Sequence, residues 1–465
     1  MAESLFPATA IITAAFLTRR LGPEGYGFLV LAATSVAWIE WSINSFFARP
    51  TIKFISEAED WKPVADGLVR LQLLTSVAAM VLLWMLSRPL AVLFGEPQLG
   101  QYLALFALDV PLFNLAHAHR NVLIGKGDFA PSANLSAVRW LTRLLLILAL
   151  VGGGLSVHGA ILGTIGSSLA ELLVARRYVR PSLFGVPNVM PPWALSLPLF
   201  ASSLCLSFYT RLDLFALKRL GATTEQAGLY GAAQNLSSVP NIFSLAFMPL
   251  LLSTLTRLLS RGEAAAAKEI GTHALRGVLA LMPIAAVVAG SAGEIISVVF
   301  GRDFQPAGTA LATLVVGAFP LMMIPVASAI LIAEGKASRI PWLTAPLVPM
   351  ALVGHLIVIP RYGLLGAAGV TTTVGLIGAS WAVWSLHHES RIVPPLGTLV
   401  RTAGVSAIAF AAAAIWPTPG ALVILKLPVI ALACLLIFLV LGEFTPADLA
   451  MARALITRDQ GTPGV

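Results

Sequence analysis

Two arginines fall inside an apolar run, where an ionised side chain is costly. Arg139 and Arg143 are four residues apart, so a helix puts both on one face. The apolar stretch after them, Leu144 to Gly154, is too short to span a bilayer alone. The spanning helix therefore has to include both. Counted from Pro131 at 1.5 Å per residue, they lie roughly 12 and 18 Å along it. Two guanidiniums facing one way at that depth could hold a phosphate or pyrophosphate through forked hydrogen bonds. The bland alternative is snorkelling to headgroups.

Other ionisable residues share this placement. Asn114, His117 and Asn121 form a stripe at i, i+3 and i+7, extended by Arg120. It reads as a cavity face or as a hydrogen-bonded structural stripe, on a helix that Pro111 should kink. Asp109 reads as a proton or cation site, or as the partner of an arginine. Arg211 and Asp213 are two residues apart and cannot face each other, so each needs a partner elsewhere. Arg211 is a second anion-binding candidate; Asp213 is a salt-bridge or ion-coupling candidate. Glu40 shares a face with Asn44 and is deep enough for ion coupling. His355 reads as a satisfied buried histidine. No metal-ligand spacing surrounds Cys205 or Cys434, and no GxxxxGKS loop is present. Neither a metal, a cofactor nor ATP hydrolysis is expected.

The elements that must position these groups follow from composition. The chain has 465 residues, 57% hydrophobic and only 11% charged, against about 25% charged in soluble domains. Such a chain lacks the polar surface to cover a soluble fold, so an all-α polytopic membrane protein is expected, with about fourteen transmembrane helices. The net charge of +8 sits in short loops between apolar runs. It points to topology and anionic headgroups rather than nucleic acid. Lysine and arginine placement puts both termini in the cytoplasm. The stretches 50–68 and 250–272 mix charge with apolar residues and read as helices lying along the cytoplasmic membrane face.

The chain also repeats itself. RRLGPEGYG (19–27) echoes KRLGATTEQAGLYG (218–231), and VLFGEPQ (92–98) echoes VVFGRDFQ (298–305). LIGKG (123–127) echoes LIAEGK (331–336), and GLSVHGAILGTIG (154–166) echoes YGLLGAAGVTTTVG (362–375). Four ordered matches at one spacing imply a duplicated unit. The expected organisation is a six-helix lobe over 1–185, a second over 186–390, two additional helices over 391–445 and a cytoplasmic tail over 446–465. A pseudo-twofold along the membrane normal would relate the lobes, with a cavity between them.

LTRRLGPEGYGFLVLA (17–32) resembles the first-to-second helix region of bacterial polysaccharide flippases. YTRLDLFALKRLGATTEQAGLYGAAQNLSSVPNIFSLAFMPLL (209–251) resembles the start of their second lobe, with Asp213 and Tyr230 at its acidic and G-x-Y positions. That family belongs to the multidrug/oligosaccharidyl-lipid/polysaccharide exporter superfamily. The resemblance implies a flippase, not an enzyme, in the bacterial cytoplasmic membrane. Its substrate would be a polyprenyl-pyrophosphate-linked oligosaccharide of O-antigen, capsule or exopolysaccharide type. Partners would be membrane lipids and other polysaccharide-assembly membrane proteins. A lipid II flippase and a cation-coupled multidrug exporter are rivals in the same superfamily; a membrane polysaccharide polymerase or ligase is the rival from another class.

Overall fold

The computed structural model describes residues 5–182 and 193–443, and every regular element among them is helical. The boundary expected between 185 and 186 and the tail over 446–465 lie outside the described residues. Helix α1 (Leu5–Glu57) carries the first two expected spans across a kink at Gly22 (φ 67°, ψ 177°). No L side chain adopts that conformation easily, and Pro23 then restarts the helix where no amide bond is lost. After α2 (Trp61–Leu93) come α3 (Pro97–Phe106) and α4 (Asp109–Gly125). The break between them at Ala107–Leu108 is the kink expected from Pro111, whose ring meets the carbonyl four residues upstream.

Next, α5 (Phe129–Leu150) and α6 (Ser156–Tyr178) pack closely, joined through Gly154 at φ 94°. The middle of the chain forms α7 (Trp193–Arg219), α8 (Thr224–Ser237), α9 (Pro240–Ser260), α10 (Ala264–Ala280), α11 (Met282–Gly290) and α12 (Ala292–Phe300). Then follow α13 (Gly308–Leu321), α14 (Met323–Ala333), the short α15 (Ile340–Thr344) and α16 (Leu347–Ser390), kinked at Gly363. The last two are α17 (Leu396–Ile415) and α18 (Val423–Val440).

Nine helical segments among the described residues are long and apolar enough to cross a membrane. Three of them, Pro7–Glu57, Phe129–Tyr178 and Ala337–Ser390, each hold two expected spans joined at Gly22, Gly154 and Gly363. Within the stretches 50–68 and 250–272, α1 runs on to Glu57 before α2 starts at Trp61, and α9 runs on to Ser260 before α10 starts at Ala264. Extending a formed helix avoids the cost of nucleating another.

The echoed sequences share backbone conformation. Each pair places a left-handed glycine in both copies: Gly22 and Gly221, Gly95 and Gly301, Gly127 and Gly335, Gly154 and Gly363. Helix α1, which carries Gly22, and helix α8, which follows Gly221, pack directly against each other. A Cβ on Gly27 would collide with the Thr224 carbonyl oxygen, and one on Gly228 with the Pro23 carbonyl oxygen. Helices α17 and α18 pack on α11 through Val405, Ala409, Ala413 and Cys434. Buried Glu443, beyond α18, accepts from Thr398 (2.6 Å), Arg401 (3.1 Å) and Arg276 (3.3 Å), which ties that end to α10 and α17.

Candidate functional site

The ionisable residues converge on α1, α4, α5 and α6. Arg139 is buried on α5, and its Nη1 lies 3.2 Å from Glu171 Oε2 on α6. Its guanidinium sits 4.4 Å from the centroid of the Phe113 ring on α4. Arg139 is thus held by an ion pair and an aromatic face. Glu171 is the residue that sequence reasoning missed. It lies five and six residues before Arg176 and Arg177, so no local spacing ties it to Arg139.

Arg143, one turn further along α5, differs. It is half-buried, its Nε is buried without a hydrogen-bond partner, and it makes no ion pair among the described residues. Arg139, Asp109, Glu40 and Tyr26 all lie within electrostatic reach of it. Glu40 Oε1 and both Asp109 carboxylate oxygens are also buried without a hydrogen-bond partner among the described residues. The pairing of Asp109 with an arginine is therefore not formed as a direct contact. Asp109, Glu40 and Arg143 make a buried charged cluster in which the Asp109 carboxyl approaches Glu40 and Ser168. Water can close all of these groups, whereas an anion has hydrogen-bond partners only in the Arg143 N–H groups.

The stripe on α4 is spent mainly on helix contacts. Asn114 donates to the Val110 carbonyl (3.0 Å) and its own carbonyl accepts from Gln72 on α2 (3.1 Å). His117 Nδ1 lies 3.1 Å from the Phe113 carbonyl, and its ring stacks on Phe113 at 4.0 Å. Asn121 donates to Asn44 on α1 (3.3 Å). Arg120 lies within reach of Glu171 and His117. These groups support the cluster from behind.

On α7, Asp213 is fully buried and makes no salt bridge among the described residues. It accepts instead from the Tyr230 hydroxyl (2.6 Å), the Leu214 amide (2.8 Å), Gln234 (3.0 Å) and Thr371 (3.1 Å). The cavity salt bridge expected there is replaced by a knot of neutral donors, which satisfies a buried carboxylate fully. Arg211 is half-buried, with no hydrogen bond or ion pair among the described residues and Asp213 as its electrostatic neighbour. His355 was expected to be satisfied, yet both ring nitrogens lack a partner among the described residues.

The turns carrying Gly22, Gly95, Gly221 and Gly301 gather on one face and close it. Lys218 Nζ lies 2.7 Å from Glu96 Oε1, and the Thr224 hydroxyl donates to the same oxygen. Arg19 donates to the Val298 carbonyl (2.7 Å). Lys426, fully buried, pairs with Glu294 (2.9 Å), which also accepts from Thr418. Burial alone would raise both carboxyls. The contacts from Lys218 and Thr224 hold Glu96 below the usual carboxylate range, and those from Lys426 and Thr418 do the same for Glu294.

Comparison with known proteins follows the same lines. Residues 16–309, more than half the chain, match the family described as polysaccharide biosynthesis protein. The chain is 23% identical over 256 residues to the succinoglycan biosynthesis transport protein ExoT of Rhizobium meliloti (strain 1021). That match covers 54% of this chain and 51% of the relative, so the chain spans about half the relative's length. The fold is similar to that of the lipid II flippase MurJ in an inward closed conformation. There the TM-score is 0.74 at 13% identity, over 97% of this chain and 99% of that one. It is also similar to a multidrug resistance MATE family transporter of the MOP superfamily in an inward-facing conformation. Here the TM-score is 0.66 at 14% identity, over 82% of this chain and 94% of that one. The fold is that of an all-α polytopic membrane protein.

Proposed function

Because the chain belongs to the polysaccharide biosynthesis protein family, we propose that it is a flippase for a polyprenyl-pyrophosphate-linked oligosaccharide. The observation that carries this reading is Arg143: a guanidinium deep in a spanning helix, unpaired among the described residues, beside two unpartnered carboxylates. A paired arginine would be structural. One left open can replace water around a pyrophosphate while the lipid tail stays in the bilayer. Arg211 on α7 is the second open cation. Arg139 and Arg120 add positive field, and His117 and Asn114 hold the wall. Glu40 and Asp109 balance the charge of the empty site and weaken binding enough to permit release.

The chain acts as two lobes, 1–185 and 186–390, that rock about their contact by alternating access. The matched left-handed glycines and the reciprocal packing of α1 on α8 support this. Its place is the bacterial cytoplasmic membrane with both termini in the cytoplasm, as the lysine and arginine bias favours. No covalent step is needed, and the reading is transport rather than enzyme catalysis.

Complementation of a bacterium lacking its O-antigen or capsule flippase tests this. Wild type should restore surface polysaccharide, Arg143→Ala should not at equal membrane expression, and Arg143→Lys should rescue in part. Rescue by Arg143→Ala as good as wild type would remove Arg143 from the site.

A further inference from the structure

Helix α1 is packed against α2, α4, α5, α6, α7 and α8. Its middle should be buried, and Glu40, Ile43, Asn44 and Phe47 are. Trp41 is not: 49% of it is exposed. The exposure follows a helical stripe. Trp38 and Ser45, three before and four after Trp41, and Ala48, seven after it, are half-buried, and Arg49, eight after it, is exposed. Aromatic contacts frame the stripe on both sides. Trp38 meets Phe208 and Phe46 meets Phe200 on α7, while Trp41 meets Phe113 and His117 on α4. The exposed face of α1, with Trp41 and Arg49 on it, therefore lies between its aromatic contacts with α4 and those with α7.

The indole is held in a defined pose. Its ring lies 5.6 Å from Phe113 at 70° and 5.8 Å from His117 at 75°, both edge-to-face. Phe113 has no free face to offer: His117 stacks on it at 4.0 Å and the Arg139 guanidinium lies 4.4 Å from its centroid. Phe113 must then present its edge to the indole, which seats one face of Trp41 and leaves the other open. Arg139 shares Phe113 with Trp41, and the unpartnered Nε of Arg143 lies one turn further along α5.

The open face of Trp41, seated on Phe113, which also carries Arg139, with the Arg143 guanidinium one helical turn beyond Arg139, suits a pyranose joined to a pyrophosphate. The apolar C–H face of the sugar covers the indole while the phosphate oxygens reach the arginine. We propose that Trp41 is the stacking platform for the first sugar ring of the lipid-linked substrate. This deepens the flippase reading and rests on it. A tryptophan that only faces acyl chains would contribute nothing specific to a sugar.

The test is binding by the purified full chain in nanodiscs. The probes are undecaprenyl pyrophosphate without sugar, undecaprenyl-pyrophosphoryl glucose and undecaprenyl-pyrophosphoryl galactose. Wild type should bind at least one glycosylated probe about 2- to 10-fold more tightly than the bare pyrophosphate, the size of one aromatic contact. Trp41→Phe should keep most of that advantage. Trp41→Leu should abolish it and leave affinity for the bare pyrophosphate unchanged, whereas Arg143→Ala should weaken all three. An advantage that survives Trp41→Leu, or a wild type with no preference for either glycosylated probe, overturns the platform alone. A wild type that binds none of the three overturns the flippase reading and the platform with it.

Discussion

Gly27 and Gly228 pack against one another reciprocally. The place a Gly27 Cβ would occupy is 3.1 Å from the Gly228 amide nitrogen, and that of a Gly228 Cβ is 2.9 Å from the Gly27 amide nitrogen. Each also faces the carbonyl four residues before the other, Thr224 for Gly27 and Pro23 for Gly228. A contact in which i meets j as j meets i is what a twofold produces. Both glycines follow a glutamate by three residues, Glu24 and Glu225, so the backbone contact and the sequence repeat agree in register. Small residues let the two backbones approach, as at other helix contacts within membranes.

That contact should not tolerate a methyl group. Gly27→Ala and Gly228→Ala each set a Cβ against backbone, which cannot swing aside as a side chain can. Each should cost about 1–3 kcal/mol by overpacking. Gly152→Ala and Gly153→Ala, where a Cβ meets open space, are the controls. Melting of the purified protein, followed by tryptophan fluorescence, should show the first pair destabilised and the second near wild type. Equal melting in all four would refute the tight contact.

Lys218 on α7 reaches Glu96 in the turn after α2, and Arg19 on α1 reaches the Val298 carbonyl in the last turn of α12, where the echoed segment begins. Basic residues at matching places thus cross to the opposite copy's echoed segment. If the two copies rock apart at this face, these contacts must break in each cycle. A disulfide between Glu96→Cys and Lys218→Cys should then stop transport, and reductant should restore it. Undiminished transport by the crosslinked protein would mean that this face does not open.

Glu96 and Glu294 set an acid limit on stability. Both carboxyls are held below their ordinary range, so their folded pKa is lower than the unfolded value of about 4.3. Such a group contributes fully above the unfolded pKa and loses its contribution as pH falls through the folded one. Melting temperature should therefore hold between pH 7 and about 5 and decline below about 4.3. In Glu96→Gln/Glu294→Gln it should be lower at neutral pH and flatter in acid. A double variant that declines as steeply as wild type would assign the acid sensitivity to other carboxylates.

Much of this arrangement was legible in the sequence, and the illegible part has a common cause. That one helix carries both Arg139 and Arg143 followed from the shortness of Leu144–Gly154, a local property. The echoes at Gly22/Gly221 and Gly95/Gly301 were legible because a left-handed turn needs glycine. Glu171 was not, because an ion pair across 32 residues leaves no periodic trace. Nothing in the sequence sets Trp41 apart from its apolar neighbours, since only packing shows which face of a buried helix stays exposed. The long extensions of α1 and α9 were not legible, because charge there signals the membrane edge equally well for a continuing helix and a new one.

The same ion pair separates two arginines that look alike in sequence. Arg139 and Glu171 are both buried and joined at 3.2 Å, whereas Arg143 has no ion pair among the described residues. Removing one partner of a buried pair strands a charge and costs about 3–5 kcal/mol, while replacing both with apolar residues of similar volume is often neutral. Glu171→Gln and Arg139→Met should therefore each lower the melting temperature, and Arg139→Met/Glu171→Leu should recover most of the loss. Arg143→Ala breaks no direct ion pair among the described residues, so it should lose less stability than Glu171→Gln, and yet lose transport. The two measurements need to be made on the same preparations, since a fall in transport means nothing at unequal folded amounts. If Arg143→Ala is as unstable as Glu171→Gln, Arg143 is structural and the open cation must be sought at Arg211. If the Arg139/Glu171 double replacement folds and still transports, Arg139 shapes the wall without touching the substrate.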